Sequence, residues 1–157
     1  MMRIIAQPDA WRIGPALCGG LSLIHYNGFK ITPRIELLKK HYEETMAEYI
    51  AWGIHVMVSQ NGNGELTIGD THEYGLHLDP FDRADLNEMI IAYLRQFAKF
   101  KNWAITQSWN GTYPKRTNGE VDFVYQPEAG VTIVNGLGGA GMTLSFGLAE
   151  EVMEKRV

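Results

Sequence analysis

Six residues near the end of the chain, Gly136-Leu137-Gly138-Gly139-Ala140-Gly141, have the GxGxxG spacing of a ligand-binding glycine turn. Glycine lets backbone approach a ligand closely, and the helix that follows such a turn points N–H groups and its positive dipole end at an anion. Val131 to Asn135 predict a buried strand, the glycines its tight turn, and Met142 to Lys155 the helix. A complete dinucleotide-binding unit also needs a second parallel strand and an acidic ribose-binding residue about 20 residues beyond the turn, and only residues 142–157 follow it. The sequence therefore predicts a loop able to touch a cofactor without the domain that usually grips one. A glycine turn used only for close strand–helix packing, or one that binds free nucleotide by itself, is the competing reading.

His72-Glu73-Tyr74-Gly75-Leu76-His77 is the second group with chemistry in it. The zinc-protease spacing is HExxH on a helix, whereas these histidines are five apart, across a glycine and after a strand, which puts them on opposite faces. No metal ligands are assigned on that basis. His25 and His55 have no partner that the sequence identifies, so both are expected to be structural. Cys18, the single cysteine, lies in an apolar setting that predicts a buried, inert thiol.

The elements that must position these residues follow from hydrophobic periodicity. Trp11 to Tyr26 predict one or two strands around Cys18-Gly19-Gly20. Thr32-Pro33 supplies a cap and first-turn proline for a helix whose apolar residues recur from Ile35 to Ile50, with a stop near Gly53. Residues 55–60 and 65–69 flank Asn61-Gly62-Asn63-Gly64 and predict a β-hairpin. Asp82 is positioned to cap a second helix with the stripe Leu86, Met89, Ile90, Tyr93, Leu94 and Phe97. Further strands are expected over 104–112, 121–125 and 131–135. Hairpin-joined strands with helices between them define an α+β fold, a largely antiparallel sheet with flanking helices that ends in a strand–glycine loop–helix unit. Residues 1–157 are read as one domain.

With 14 Lys and Arg against 18 Asp and Glu, the net charge of −4 argues against nucleic acid as a partner. The lone cysteine rules out an intramolecular disulfide, and a reducing, cytoplasmic location is expected. No apolar run reaches the roughly 18 residues of a membrane span, so no membrane partner is expected. Met2, Ile4 and Ile5 open the chain like the middle of a strand, as a truncated reading frame would.

Read together, Trp109-Asn110-Gly111-Thr112-Tyr113-Pro114, the strand at 130–134 and the segment from Gly136 to Glu150 resemble the carboxy-terminal part of the D-amino-acid oxidase family. These FAD-dependent amine oxidoreductases include sarcosine and glycine oxidases. Gly138-Gly139-Ala140-Gly141-Met142-Thr143-Leu144-Ser145 carries the resemblance most specifically, and Ile68 to Gly75 look like the family's substrate-domain sheet. The resemblance implies FAD as cofactor, with Gly138, Gly139, Ala140, Gly141, Met142 and Thr143 touching the flavin ring. It implies that Trp109, Tyr113, His72 and Tyr74 line the substrate side, although Trp109 and Tyr113 also suit plain core aromatics. In relatives an arginine of the Trp-x-Gly-x-Arg segment clamps a substrate carboxylate; here that position is Tyr113, which can donate a hydrogen bond but no charge. An aminophosphonate or an N-methylated amine therefore joins the small amines and amino acids as a substrate class. No catalytic residue is assigned.

Relatives begin with a strand, a GxGxxG turn and a helix that hold the ADP half of FAD, and nothing near Met1 corresponds. The resemblance implies an amino-terminal FAD-binding half as partner, poor flavin binding by this chain alone, and self-association through the face that half would cover. A non-enzymatic module that keeps the sheet for binding a ligand or protein is the alternative.

Overall fold

The computed structural model describes residues 1–155, and the chain divides into two compact units, Met1–Asn110 and Gly111–Val157. In the first, a five-stranded sheet has the order β2-β3-β4-β1-β5, formed by β1 (Met2–Ile4), β2 (Leu17–Cys18), β3 (Met57–Gln60), β4 (Leu66–Gly69) and β5 (Ile105–Ser108). Every pairing in it is antiparallel. Alternation along β1 turns Met2 and Ile4 into the core and leaves Arg3 on the other face, where its guanidinium lies 5.8 Å from the Trp109 ring centroid.

The hairpin forms as its turn sequence dictates. The Asn61 carboxamide oxygen accepts from the N–H groups of Asn63 and Glu65, both at 3.0 Å, and Met57 stands opposite Gly69. Met2, Ile4, Val58, Leu66 and Ile68 from the sheet pack with Leu21, Ile90, Tyr93 and Leu94, all at most 5% exposed. The last three lie on α4 (Ala84–Leu94), whose stripe faces the core as its spacing requires, except that Phe97 falls past the helix end and is exposed. Gln7, also buried, anchors the return of the chain: its amide donates to Asn102 O at 2.8 Å, and its carbonyl accepts from Lys101 and Asn102 N–H.

Several expectations are corrected. Strand structure does not continue past Cys18, because Ser22 and Leu23 N–H bond back to Gly19 and Gly20 O and start α1 (Leu21–His25). Tyr93 crowds the same turn: a Cβ on Gly19 would come within 2.7 Å of its ring. Cys18 is exposed rather than buried, since it ends a two-residue edge strand. The long helix is split by Met46 (φ −141°, ψ 38°) into α2 (Ile35–Thr45) and α3 (Ala47–Ala51), and it lacks a side-chain cap. Asp82 does not cap α4; its carboxylate accepts from Ser108 Oγ and Asn110 Nδ2, both at 2.8 Å, and those bonds hold its pKa below the usual carboxylate range.

In the second unit, β6 (Phe123–Glu128) pairs antiparallel with β7 (Val131–Asn135). A short 3₁₀ turn (Gly138–Ala140) then leads into α5 (Gly141–Glu154). The strand–glycine loop–helix unit thus has its expected bounds, but β7 is not buried: four of its five residues are exposed. Among the described residues, the buried hydrophobic ones all lie in the first unit.

Candidate functional site

Two groupings have the makings of a site, one in each unit. In the second unit, Gly136 is buried beside Phe123 while Gly139 and Ala140 are open to solvent. The 3₁₀ turn uses some of its own amides: Ala140 N–H bonds Leu137 O at 3.2 Å and Gly141 N–H bonds Gly138 O. Ala140 and Gly141 therefore offer close approach rather than hydrogen-bond donors. Gly138 has φ +59°, which side-chain-bearing residues resist, and a Cβ added at Gly141 would meet open space. At the foot of a 14-residue helix, this is an open, side-chain-poor surface with the positive dipole end of α5 behind it. It fits the edge of a planar, charge-accepting ring.

Tyr113 packs on that turn. A Cβ on Gly139 would come within 3.2 Å of its hydroxyl, and one on Gly138 within 3.7 Å of its ring. An antiparallel bridge between Lys115 and Leu137 fastens the same segment to the loop. The residue at the family's arginine position thus touches the glycine turn, and at 41% exposure it is no core aromatic. Met142, 94% exposed, and Phe146, 82% exposed, stand on α5 without cover.

In the first unit, Trp109 is 37% exposed and lies against Arg3, with its N–H donating to Met1 O at 3.1 Å. Tyr74, 61% exposed, stacks on His72 with ring centroids 6.2 Å apart. His72 itself joins a group that sequence reasoning missed. His25 ends α1, His55 precedes β3 and His72 follows β4, and each ring offers a nitrogen within 4.8 Å of the other two. Ring centroids are 4.1 Å apart for His25–His55, 4.8 Å for His25–His72 and 5.1 Å for His55–His72.

Asp70 lies beside two of these histidines. Its Oδ1 is 3.1 Å from His55 Nε2 and its Oδ2 is 3.8 Å from His72 Nε2. The backbone holds this arrangement, because His55 and Asp70 exchange N–H···O bonds at 3.2 and 2.8 Å just past the hairpin ladder. Behind them, His72 N–H bonds Trp52 O at 3.0 Å, and His72 Nδ1 lies 3.2 Å from Gly53 O. A carbonyl only accepts, so Nδ1 carries the proton and Nε2 of the neutral ring is a lone pair. Gly53 must be glycine here, since its φ is +54° and a Cβ would sit 3.0 Å from that of His72.

Burial, and secondarily the neighbouring His72, lower the His55 pKa to about 4. Burial also raises that of Asp70, against the pull of His72, the N-terminal ammonium and His25. The His55 shift favours a neutral ring, and at 3.1 Å its Nε2–H donates to the Asp70 carboxylate. That leaves His55 Nδ1 buried with no hydrogen-bond partner.

A layered antiparallel α+β unit is followed in the chain by a glycine turn that opens at a helix start. Residues 28–155 match the model of the FAD dependent oxidoreductase (DAO) family, and the chain belongs to that family. No curated protein and no solved structure matches it. The family is FAD-dependent, which makes an oxidoreductase the kind of function to expect. Among the described residues, no helix is long and apolar enough to cross a membrane.

Proposed function

We propose that this chain supplies the flavin-contacting turn and substrate-side sheet of an FAD-dependent oxidoreductase acting on the C–N bond of a small amine or amino acid, with an aminophosphonate among the candidate substrates. The observation that carries the reading is the open Gly138–Gly141 turn at the start of α5, inside a segment matched to the family. Bound FAD would accept the two electrons removed when a C–N single bond becomes an imine. Gly138, Gly139, Ala140, Gly141, Met142 and Thr143 are the residues that would hold its ring. Glycine backbone and the helix dipole there stabilise negative charge on a ring edge, an effect of about 0.3–1 kcal/mol that grows with burial.

Tyr113, already against the turn, would offer the substrate a hydroxyl donor where a guanidinium would offer a charge. That change disfavours a carboxylate clamp and leaves room for substrates lacking an α-carboxylate. Since every strand pairing among the described residues is antiparallel, they include no βαβ unit to grip adenosine. Exposed Met142, Phe146, Tyr125 and Ile133 on a two-stranded hairpin and its helix support a covering partner, for which an FAD-binding half is our assignment.

The test is an FAD titration of the chain, and of the same chain extended by any coding sequence in frame upstream of Met1. We expect little response from the first, and from the second a yellow chromophore with FAD-dependent thermal stabilisation that Gly138→Val abolishes. An extended protein that stays colourless and indifferent to FAD would remove the flavin reading. Dimerisation of the unextended chain without any flavin response would instead favour a binding module.

A further inference from the structure

We infer that His25, His55 and His72 form a binding site for one divalent transition-metal ion of the zinc class. All three residues belong to the first unit, and the inference does not depend on the flavin reading. Each ring presents a nitrogen within 4.8 Å of the others. In a tetrahedral shell with metal–nitrogen bonds of about 2.0–2.1 Å, ligand nitrogens lie roughly 3.4 Å apart. For the nitrogens that approach one another, closure by at most about 1.4 Å reaches that spacing.

Two of the rings are already held as imidazole ligands are held. A metal-binding histidine donates its other ring N–H to a carboxylate or a backbone carbonyl, which fixes the tautomer and aims the lone pair. His55 Nε2 has Asp70 at 3.1 Å, and His72 Nδ1 has Gly53 O at 3.2 Å. What remains on each ring is a lone pair, Nδ1 on His55 and Nε2 on His72. The first belongs to a side chain only 4% exposed and has no hydrogen-bond partner. A buried lone pair without a donor is the feature that a cation satisfies.

The rings now lie 18° to 33° from parallel, so their lone pairs do not yet converge on one point. His25 is half-buried and ends a five-residue helix, and convergence requires its ring to turn toward the other two. Asp70 supplies one negative charge beside the ion. A donor set of imidazole with a neighbouring carboxylate suits Zn²⁺, Ni²⁺ or Cu²⁺, and not Ca²⁺ or Mg²⁺, which prefer shells made of oxygen. The primary sequence pairs His72 with His77, while the fold gathers it with histidines 47 and 17 positions earlier.

The experiment uses the untagged chain stripped with EDTA and titrated calorimetrically with Zn²⁺. One ion per chain is expected, with His25→Ala weakening affinity by more than about tenfold, the smallest loss typical of disturbing an outer-shell partner alone. Asp70→Asn should weaken it by about 10–100-fold, and His41→Ala should leave it unchanged. Circular dichroism checks that each variant is folded. Co²⁺ added to the unsubstituted chain provides a readout that needs no variant, since nitrogen ligation gives visible absorption distinct from that of the hydrated ion. A chain that binds no Zn²⁺ and leaves the Co²⁺ spectrum unchanged would overturn the site, as would Zn²⁺ binding of equal strength in folded His25→Ala.

Discussion

Acidification of the metal-free chain sets the burial of His55 against its affinity for a proton. The imidazole is held at a pKa of about 4 in the fold, against 6.5 for the free side chain. Between those values the unfolded chain binds a proton that the folded chain refuses. The stability that His55 contributes is therefore complete above pH 6.5 and drains away as the pH falls toward 4. At about 1.36 kcal/mol per pKa unit the full swing has a ceiling of about 3 kcal/mol, of which about 2 kcal/mol is gone by pH 5. Asp70 works in the opposite sense. Its raised pKa lets the folded chain take up a proton before the unfolded one does, which offsets part of the loss. Comparison with His55→Gln isolates the histidine, because glutamine keeps an N–H for Asp70 and cannot become charged. Urea unfolding followed by tryptophan fluorescence, in EDTA at pH 7, 6 and 5, should show the unsubstituted chain losing about 2 kcal/mol more than the variant. Parallel pH profiles for the two proteins would refute the argument, and so would an NMR titration of His55 with a midpoint near 6.5.

Three further outcomes can be measured. Tyr93→Phe removes the hydroxyl that accepts the buried Leu21 N–H at 3.1 Å, and should cost about 1–3 kcal/mol in chemical denaturation; an unchanged midpoint would count against that bond. Gln7→Leu strips Lys101 N–H, Asn102 N–H and Asn102 O of their partner, and a drop in melting temperature of roughly 5 °C or more is expected by calorimetry. The loss of FAD response in Gly138→Val, read on the extended chain, reports on the turn: a bulky side chain at φ +59° both strains the backbone and blocks the approach of a ring.

Elements whose signals are local were legible in the sequence. The Asn61–Gly64 turn, its two strands and the α4 stripe needed only turn chemistry and periodicity, and α5 begins within one residue of its expected start. Leu21, Leu23 and Ile24 misled because alternate apolar residues read as strand, whereas the Gly19–Gly20 turn starts a helix. Asp82 misled because the carboxylate that suits a cap also suits Ser108 and Asn110, some 26 and 28 positions away. The histidine group was half legible. A hairpin register with Met57 opposite Gly69 already brings His55 across from Asp70 to His72, a deduction the sequence allowed. His25 arrives on a separate helix, and no spacing rule joins it to the other two.

β1 lies between β4 and β5 in the sheet, although it precedes both of them in the sequence. Its partners on one flank are residues 66–68, and on the other residues 105–108. A nascent chain halted before Ile105 would hold Met2 and Ile4 in a ladder with one raw flank, the kind of surface that recruits a neighbouring chain. Order in this unit must therefore spread late and from distant contacts, which slows folding and lengthens the interval of risk. Translation speed between the codons of β1 and those of β5 becomes a determinant of yield.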